Sequence, residues 1–237
     1  MKRAFVIFAL FLGACVGQPA LSRGQTISPV GTWQVDILDS EKGILMMTFS
    51  NNFTVSGYGI TRKQFGFVTL AGNWSFDSQG DVVAGYVQTI NGVGTAYSLA
   101  ARMLSASRFR GKATGTSGGY RCKGEQPESF PDLSGSWNAA VKRSGKTLNE
   151  SFIAIASSNY PTVFDVTGQG LSDTASYTLS GTIIVSAENK VNASLDRTFG
   201  TVTQHSSLSG LFKPTGSKLL LDGSDDTGAH LSETAVR

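Results

Sequence analysis

Charge, cysteine and histidine are all scarce in this chain, and each scarcity removes a class of protein. Only 16% of its 237 residues are charged, and runs of the strong helix formers Glu, Lys and Leu are few, which argues against a helical fold. Two cysteines exclude a disulfide framework, and two histidines leave little material for a zinc or haem centre. No apolar run approaches the roughly 18 residues that carry a helix across a bilayer. What the chain has instead is 28 glycines, abundant Ser and Thr, and 40% apolar residues, the composition of an all-β globular protein with a real core.

The formal charge of +3 includes Lys2 and Arg3. These precede an apolar run from Ala4 to Leu12, the charged and hydrophobic regions of a secretory leader. Without them the balance is 18 cations against 17 anions, too little positive charge for a nucleic-acid binder. The segment Leu12-Gly13-Ala14-Cys15 that ends the run resembles the lipobox of bacterial lipoprotein precursors. The resemblance implies removal of residues 1–14 and acylation of Cys15, palmitate included, so that the membrane is a partner through a lipid anchor. Val16 after the Cys implies, by the same resemblance, the outer rather than the inner membrane. Cleavage after Ala20, giving a periplasmic or secreted soluble protein, is the alternative. Residues 15–28 then form a flexible tether rich in polar residues.

Self-comparison divides the remainder into two copies. Gly31-Thr32-Trp33 recurs as Gly135-Ser136-Trp137, the segment Phe53 to Ile60 as Phe164 to Leu171, and Thr69 to Gly72 as Thr178 to Gly181. Further along, Phe109-Arg110-Gly111 aligns with Leu208-Ser209-Gly210 and Tyr120 to Gly124 with Leu219 to Gly223, at the cost of about ten residues missing from the second copy near Thr95 to Met103. This sets repeat 1 at 29–124, a linker at 125–134, repeat 2 at 135–223 and a C-terminal tail at 224–237. Apolar residues alternate within each copy, with Trp33, Val35 and Ile37 on one face and Thr32, Gln34 and Asp36 on the solvent face. Six to eight short strands per copy, separated by turn-forming clusters, predict two tandem antiparallel β-meander barrels. A single larger barrel or sandwich built by both copies is the alternative. The opening Gly-x-Trp and the meander resemble calycins, the group that includes lipocalins and avidins.

Motifs that carry chemistry dissolve on inspection. Gly115-Thr116-Ser117-Gly118-Gly119 has the serine-hydrolase pattern but joins two strands, so it reads as a hairpin turn. His205 and His230 read as surface residues, and Asp222, Asp225 and Asp226 as a solvated acidic turn without the ligand order of a calcium loop. Cys122, aligned with Leu221, reads as a small buried hydrophobe. No catalytic residue, metal or cofactor is expected.

One feature stands out against the chain's own repeat. Between Val82 and Gly124 there is no acidic residue, yet six cations fall there. Alternation puts Arg108, Arg110 and Lys112 on one side of a strand and Arg121 and Lys123 on the same side of the next. The aligned residues of the second copy are Ser207, Ser209, Leu211, Leu220 and Asp222. Repeat 1 has nine cations against five anions, and residues 130–237 have eight against ten. The expected function is non-enzymatic: an envelope protein with a binding or structural role, its basic face contacting anionic lipid, lipopolysaccharide or a cell-wall polymer, not nucleic acid. The alternatives are an adhesin-like surface module and an envelope hydrolase with a carboxylate site.

Overall fold

The computed structural model describes residues 26–237, apart from 40–41, 62–65, 117 and 216. Residues 1–14, Cys15 and most of the tether lie outside the described residues. Barrel 1 consists of β1 (Gly31–Ile37), β2 (Gly43–Phe49), β3 (Thr54–Thr61), β4 (Gly66–Phe76), β5 (Val82–Ile90), β6 (Val93–Ser105), β7 (Arg108–Gly115) and β8 (Gly118–Glu125). Barrel 2 consists of β9 (Gly135–Arg143), β10 (Lys146–Ala156), β11 (Val163–Leu171), β12 (Ser176–Val185), β13 (Lys190–Phe199), β14 (Val202–Lys213), β15 (Lys218–Asp225) and β16 (His230–Val236). Each strand pairs antiparallel with the next, and the last closes on the first, so the chain forms two tandem eight-stranded closed barrels. The single larger barrel is not formed.

Inward side chains fill both interiors. Trp33 and Trp137 are buried at matched positions, and each indole Nε1 donates to a carbonyl four residues earlier, Pro29 at 2.6 Å and Leu133 at 3.0 Å. In barrel 1 Trp33 packs on Phe109 and Phe49 on Trp74, with ring centroids 5.1 and 6.1 Å apart. Tight coiling of the walls needs residues without side chains at two matched points. A Cβ at Gly72 would stand 2.0 Å from the Gly85 carbonyl oxygen, and one at Gly181 2.2 Å from that of Ser194.

The pairing registers correct the second half of the repeat alignment. Trp33 opposite Met47 matches Trp137 opposite Phe152, and carrying that register around both barrels equates β7 with β15 and β8 with β16. The aligned triplet Leu208-Ser209-Gly210 lies on β14 instead, the counterpart of β6. No ten-residue deletion exists, and the expected C-terminal tail contains β16, which closes barrel 2 against β9. Nor is the linker free: Glu125 belongs to β8, and Leu133 is fully buried in the core of barrel 2.

The face of β1 expected to meet solvent is covered. Gln34 and Asp36 are buried because barrel 2 sets one of its rims against the outer wall of β1 to β4. Ile44, Met46 and Ile60 of that wall pack with Val163 and Ile184, and Tyr58, Phe67, Phe130 and Tyr160 pack around them. Tyr58 and Tyr160 stand 4.4 Å apart between centroids. The Gln34 Oε1 atom accepts from the Ala187 amide at 2.9 Å.

Candidate functional site

The five expected cations lie on β7 and β8, and the structure divides them. Arg110 faces Lys123 across the ladder, and Lys112 faces Arg121. Arg121 is bound to Asp39, its guanidinium 2.8 Å from the carboxylate, while its own backbone N–H donates to the same group at 2.5 Å. That backbone hydrogen bond, followed by the side-chain one, holds the Asp39 carboxyl below its usual range. Lys123 is only partly exposed and belongs to the barrel junction, with Nζ 3.4 Å from Asp36 and 3.7 Å from Glu188. Lys190 completes that cluster, 2.6 Å from Asp36 and 2.5 Å from Glu188. Burial alone would lower the Lys190 amine, but the two carboxylates outweigh it and raise it. Arg108 lies 3.8 Å from Glu125.

Arg110 and Lys112 are in no ion pair among the described residues, though the charge of Lys112 reaches Asp39, and both side chains are exposed. Sequence reasoning left out a third such cation. Arg102 on β6 stands directly across from Arg110, exposed and likewise without an acidic partner among the described residues. Its outward phase on the neighbouring strand was the signal. The unpaired basic face is therefore Arg102, Arg110 and Lys112 across two strands, with Arg108 and Arg121 at its margins. With the register corrected, Arg108, Arg110, Lys112, Arg121 and Lys123 correspond to Lys218, Leu220, Asp222, Ser232 and Thr234, and Arg102 corresponds to Leu211. The three unpaired positions remain uncharged or acidic in barrel 2.

The other candidates hold ordinary structural places. His205 and His230 are exposed and pair with Asp196 at 2.6 Å and Asp222 at 2.8 Å. Asp225 is not solvated as expected; it is buried, bound by Arg143 at 2.6 Å, and accepts from the Thr227 and Ala229 amides in the β15–β16 turn. Gly115 and Gly118 end and begin β7 and β8, so the hydrolase-like pentad is a hairpin, with Ser117 outside the described residues. Cys122 is buried, and burial pushes its thiol up to about 12. It corresponds in the corrected register to Glu233, not Leu221.

That correspondence exposes a polar cluster which the sequence reading missed. Inside barrel 2, Arg197 donates to Glu150 from Nε at 2.6 Å, to Glu233 from Nη2 at 3.0 Å, and to Ser206 from Nη1 at 2.7 Å. The Tyr177 hydroxyl donates to Glu150 at 2.8 Å. All five groups lie in the inward phase of their strands. Burial, and then the charge of Glu150, raises the Glu233 carboxyl to about 7, with Arg197 opposing. Its Oε1 has no hydrogen-bond partner. One guanidinium cannot balance two buried carboxylates, and Glu233 is raised accordingly.

No family model and no curated protein matches the chain. Among solved structures it is similar to a protein of unknown function from the DUF3598 family of Nostoc punctiforme, at 10% identity, covering 88% of this chain and 96% of that one with a TM-score of 0.25.

Proposed function

We propose that the chain is an exported, lipid-anchored protein of the cell envelope that binds anionic envelope material through the outer wall of β6 to β8 and performs no catalysis. The observation that carries this reading is the trio Arg102, Arg110 and Lys112, exposed on adjacent strands and bound by no ion pair among the described residues, with only Asp39 near enough to Lys112 to feel its charge, where the sister barrel has Leu211, Leu220 and Asp222. Like charges side by side on a sheet repel unless something of opposite sign lies over them. Filled interiors favour a ligand on the outside of the barrels rather than within them. The lipobox-like Leu12 to Cys15 supplies the anchor, and several acyl chains, at about 0.8 kcal/mol per buried CH₂, hold a protein at a membrane for good. The chain enters barrel 1 at the rim that carries the β6–β7 turn, so the arginines nearest that turn lie on the tethered side.

The test compares sedimentation of the full chain with vesicles of anionic lipid, vesicles of zwitterionic lipid, and lipopolysaccharide. Binding to an anionic surface that fades with added salt, and is lost in Arg102→Gln/Arg110→Gln/Lys112→Gln, supports the reading. Equal binding by the triple variant at low salt rejects it. Anchoring is read separately: Cys15→Ala should abolish acylation, and a mature protein beginning at Leu21 without lipid in its mass would refute the lipobox.

A further inference from the structure

The registers that equate the two barrels also equate their outer walls, and the walls have different fates. In barrel 1 the wall of β1 to β4 is where barrel 2 sits, on Ile44, Met46, Tyr58, Ile60 and Phe67. Stepping through the same pairings in barrel 2 puts Asn149 in the place of Ile44, Ser151 in that of Met46 and Gln169 in that of Tyr58. Leu171 and Ser176 stand in the places of Ile60 and Phe67. Around them, Gln34 becomes Asn138, Asp36 becomes Ala140 and Lys123 becomes Thr234. Every one of these barrel 2 residues lines a single open groove of about 1020 Å³ that no other part of the described chain covers.

The groove has lost two kinds of residue at once. Four of the five apolar anchors are gone, so it lacks the large interlocking side chains that hold one barrel against the other, although Leu171, Val236 and the carbon stems of its polar residues keep most of its exposed surface apolar. Its charges are gone too: Asp36 and Lys123 have neutral counterparts, and the one charged lining residue, Glu150, points inward and is buried. Solubility alone does not explain this, since a wall kept merely wet ordinarily carries Lys and Glu. What remains are the side chains of Asn138, Asn149, Ser151, Gln169, Ser176 and Thr178, with donors and acceptors in both senses, beside small apolar patches at Ala140, Leu171 and Val236. Concavity with convergent neutral hydrogen-bonding groups set in a largely apolar surface matches a ligand that is uncharged, dense in hydroxyls and apolar on its C–H faces.

We propose that this wall of barrel 2 is a binding groove for an uncharged oligosaccharide. It is distinct from the basic face in position and in chemistry, and it does not depend on that face binding anything. A second copy of the chain is the competing occupant, and the missing apolar anchors disfavour it.

The experiment titrates the ¹⁵N-labelled full chain with maltohexaose, cellohexaose and chitohexaose, and with polygalacturonate as a charged control, following backbone amide shifts. At least one neutral sugar should shift resonances of β9 to β12, with an affinity that salt leaves unchanged. Asn138→Ala/Gln169→Ala, two exposed changes, should weaken that binding about tenfold through the loss of roughly two hydrogen bonds, without lowering the melting temperature. Arg102→Gln/Arg110→Gln/Lys112→Gln should leave it intact, which separates failure here from failure of the anionic reading. The proposal is overturned if none of the three sugars moves these resonances at about 10 mM, a concentration that reveals even millimolar affinities. It is also overturned if the double variant binds as well as the parent, or if the groove resonances respond to protein concentration alone, the mark of a second copy.

Discussion

Barrel 1 and barrel 2 share strand order, register and the buried Trp that opens each, yet their interiors are chemically opposed. Where barrel 1 has Leu45, Val68, Gln88 and Cys122, barrel 2 has Glu150, Tyr177, Arg197 and Glu233. Barrel 1 fills the same region with tyrosines, Tyr86 and Tyr120 joined hydroxyl to hydroxyl at 2.6 Å. The difference teaches that alternation, close-approach glycines and matched turns specify this fold, while the middle of the barrel accepts either aromatic packing or a closed ion cluster. The two solutions should nonetheless respond differently to damage.

The largest response is expected at Arg197. Arg197→Met leaves Glu150 and Glu233 buried without a cation and should cost about 3–5 kcal/mol by urea unfolding. Installing the barrel 1 residues together, Arg197→Gln, Glu150→Leu and Glu233→Cys, should recover most of that loss; equal instability of the triple variant would break the equivalence drawn between the interiors. Next come the indoles the barrels share. Trp33→Ala and Trp137→Ala should each cost about 3–5 kcal/mol, and a large asymmetry between them would show that the matched burial conceals unequal packing.

The third contrast is in pH. Glu233 has its folded carboxyl raised from an ordinary 4.5 to about 7, so the folded state binds the proton more tightly than the unfolded chain. The stabilisation is complete below about pH 4.5 and is lost as pH rises through about 7. Denaturation of barrel 2 should become easier across that window, and Glu233→Gln should flatten the slope. A wild-type profile without slope there would mean that Glu233 stays ionised in the fold. The smallest effect is reserved for the exposed cations: Arg102→Gln, Arg110→Gln and Lys112→Gln should each shift stability by about 0.5 kcal/mol or less. Lys123→Gln should cost more, because it strips a partner from the buried Asp36. Equal costs would place Lys123 on the open face after all.

Period-two alternation made the barrels legible, and Gly-x-Trp with the glycine pairs anchored the first half of the repeat. Past Gly181 those landmarks end, and local similarity between Phe109-Arg110-Gly111 and Leu208-Ser209-Gly210 drew the alignment one strand out of step. Closure requires a last strand to meet the first, and that requirement was the missing constraint. The barrel junction did leave a mark: Ile44 to Met47 is an unbroken apolar run, the pattern of a strand buried on both faces. The ion cluster was harder to see. Arg197, Glu150 and Glu233 sit in the inward phase, but three distant charges converge only once the sheet is rolled. Of the basic face, position was readable and pairing was not, since Asp36 reaches it from β1, Asp39 from the connection after β1 and Glu188 from the other barrel.

Closure also decides how this protein can meet others. In an open sheet, lysines and arginines on the last strands commonly guard an unpaired backbone edge against adding another chain. Neither sheet here has such an edge, because β8 is bonded to β1 and β16 to β9. The cations of β6 and β7 guard nothing of that kind. With both sheets closed, partners find no whole edge strand to extend, and contact is made chiefly side chain by side chain on the walls and rims.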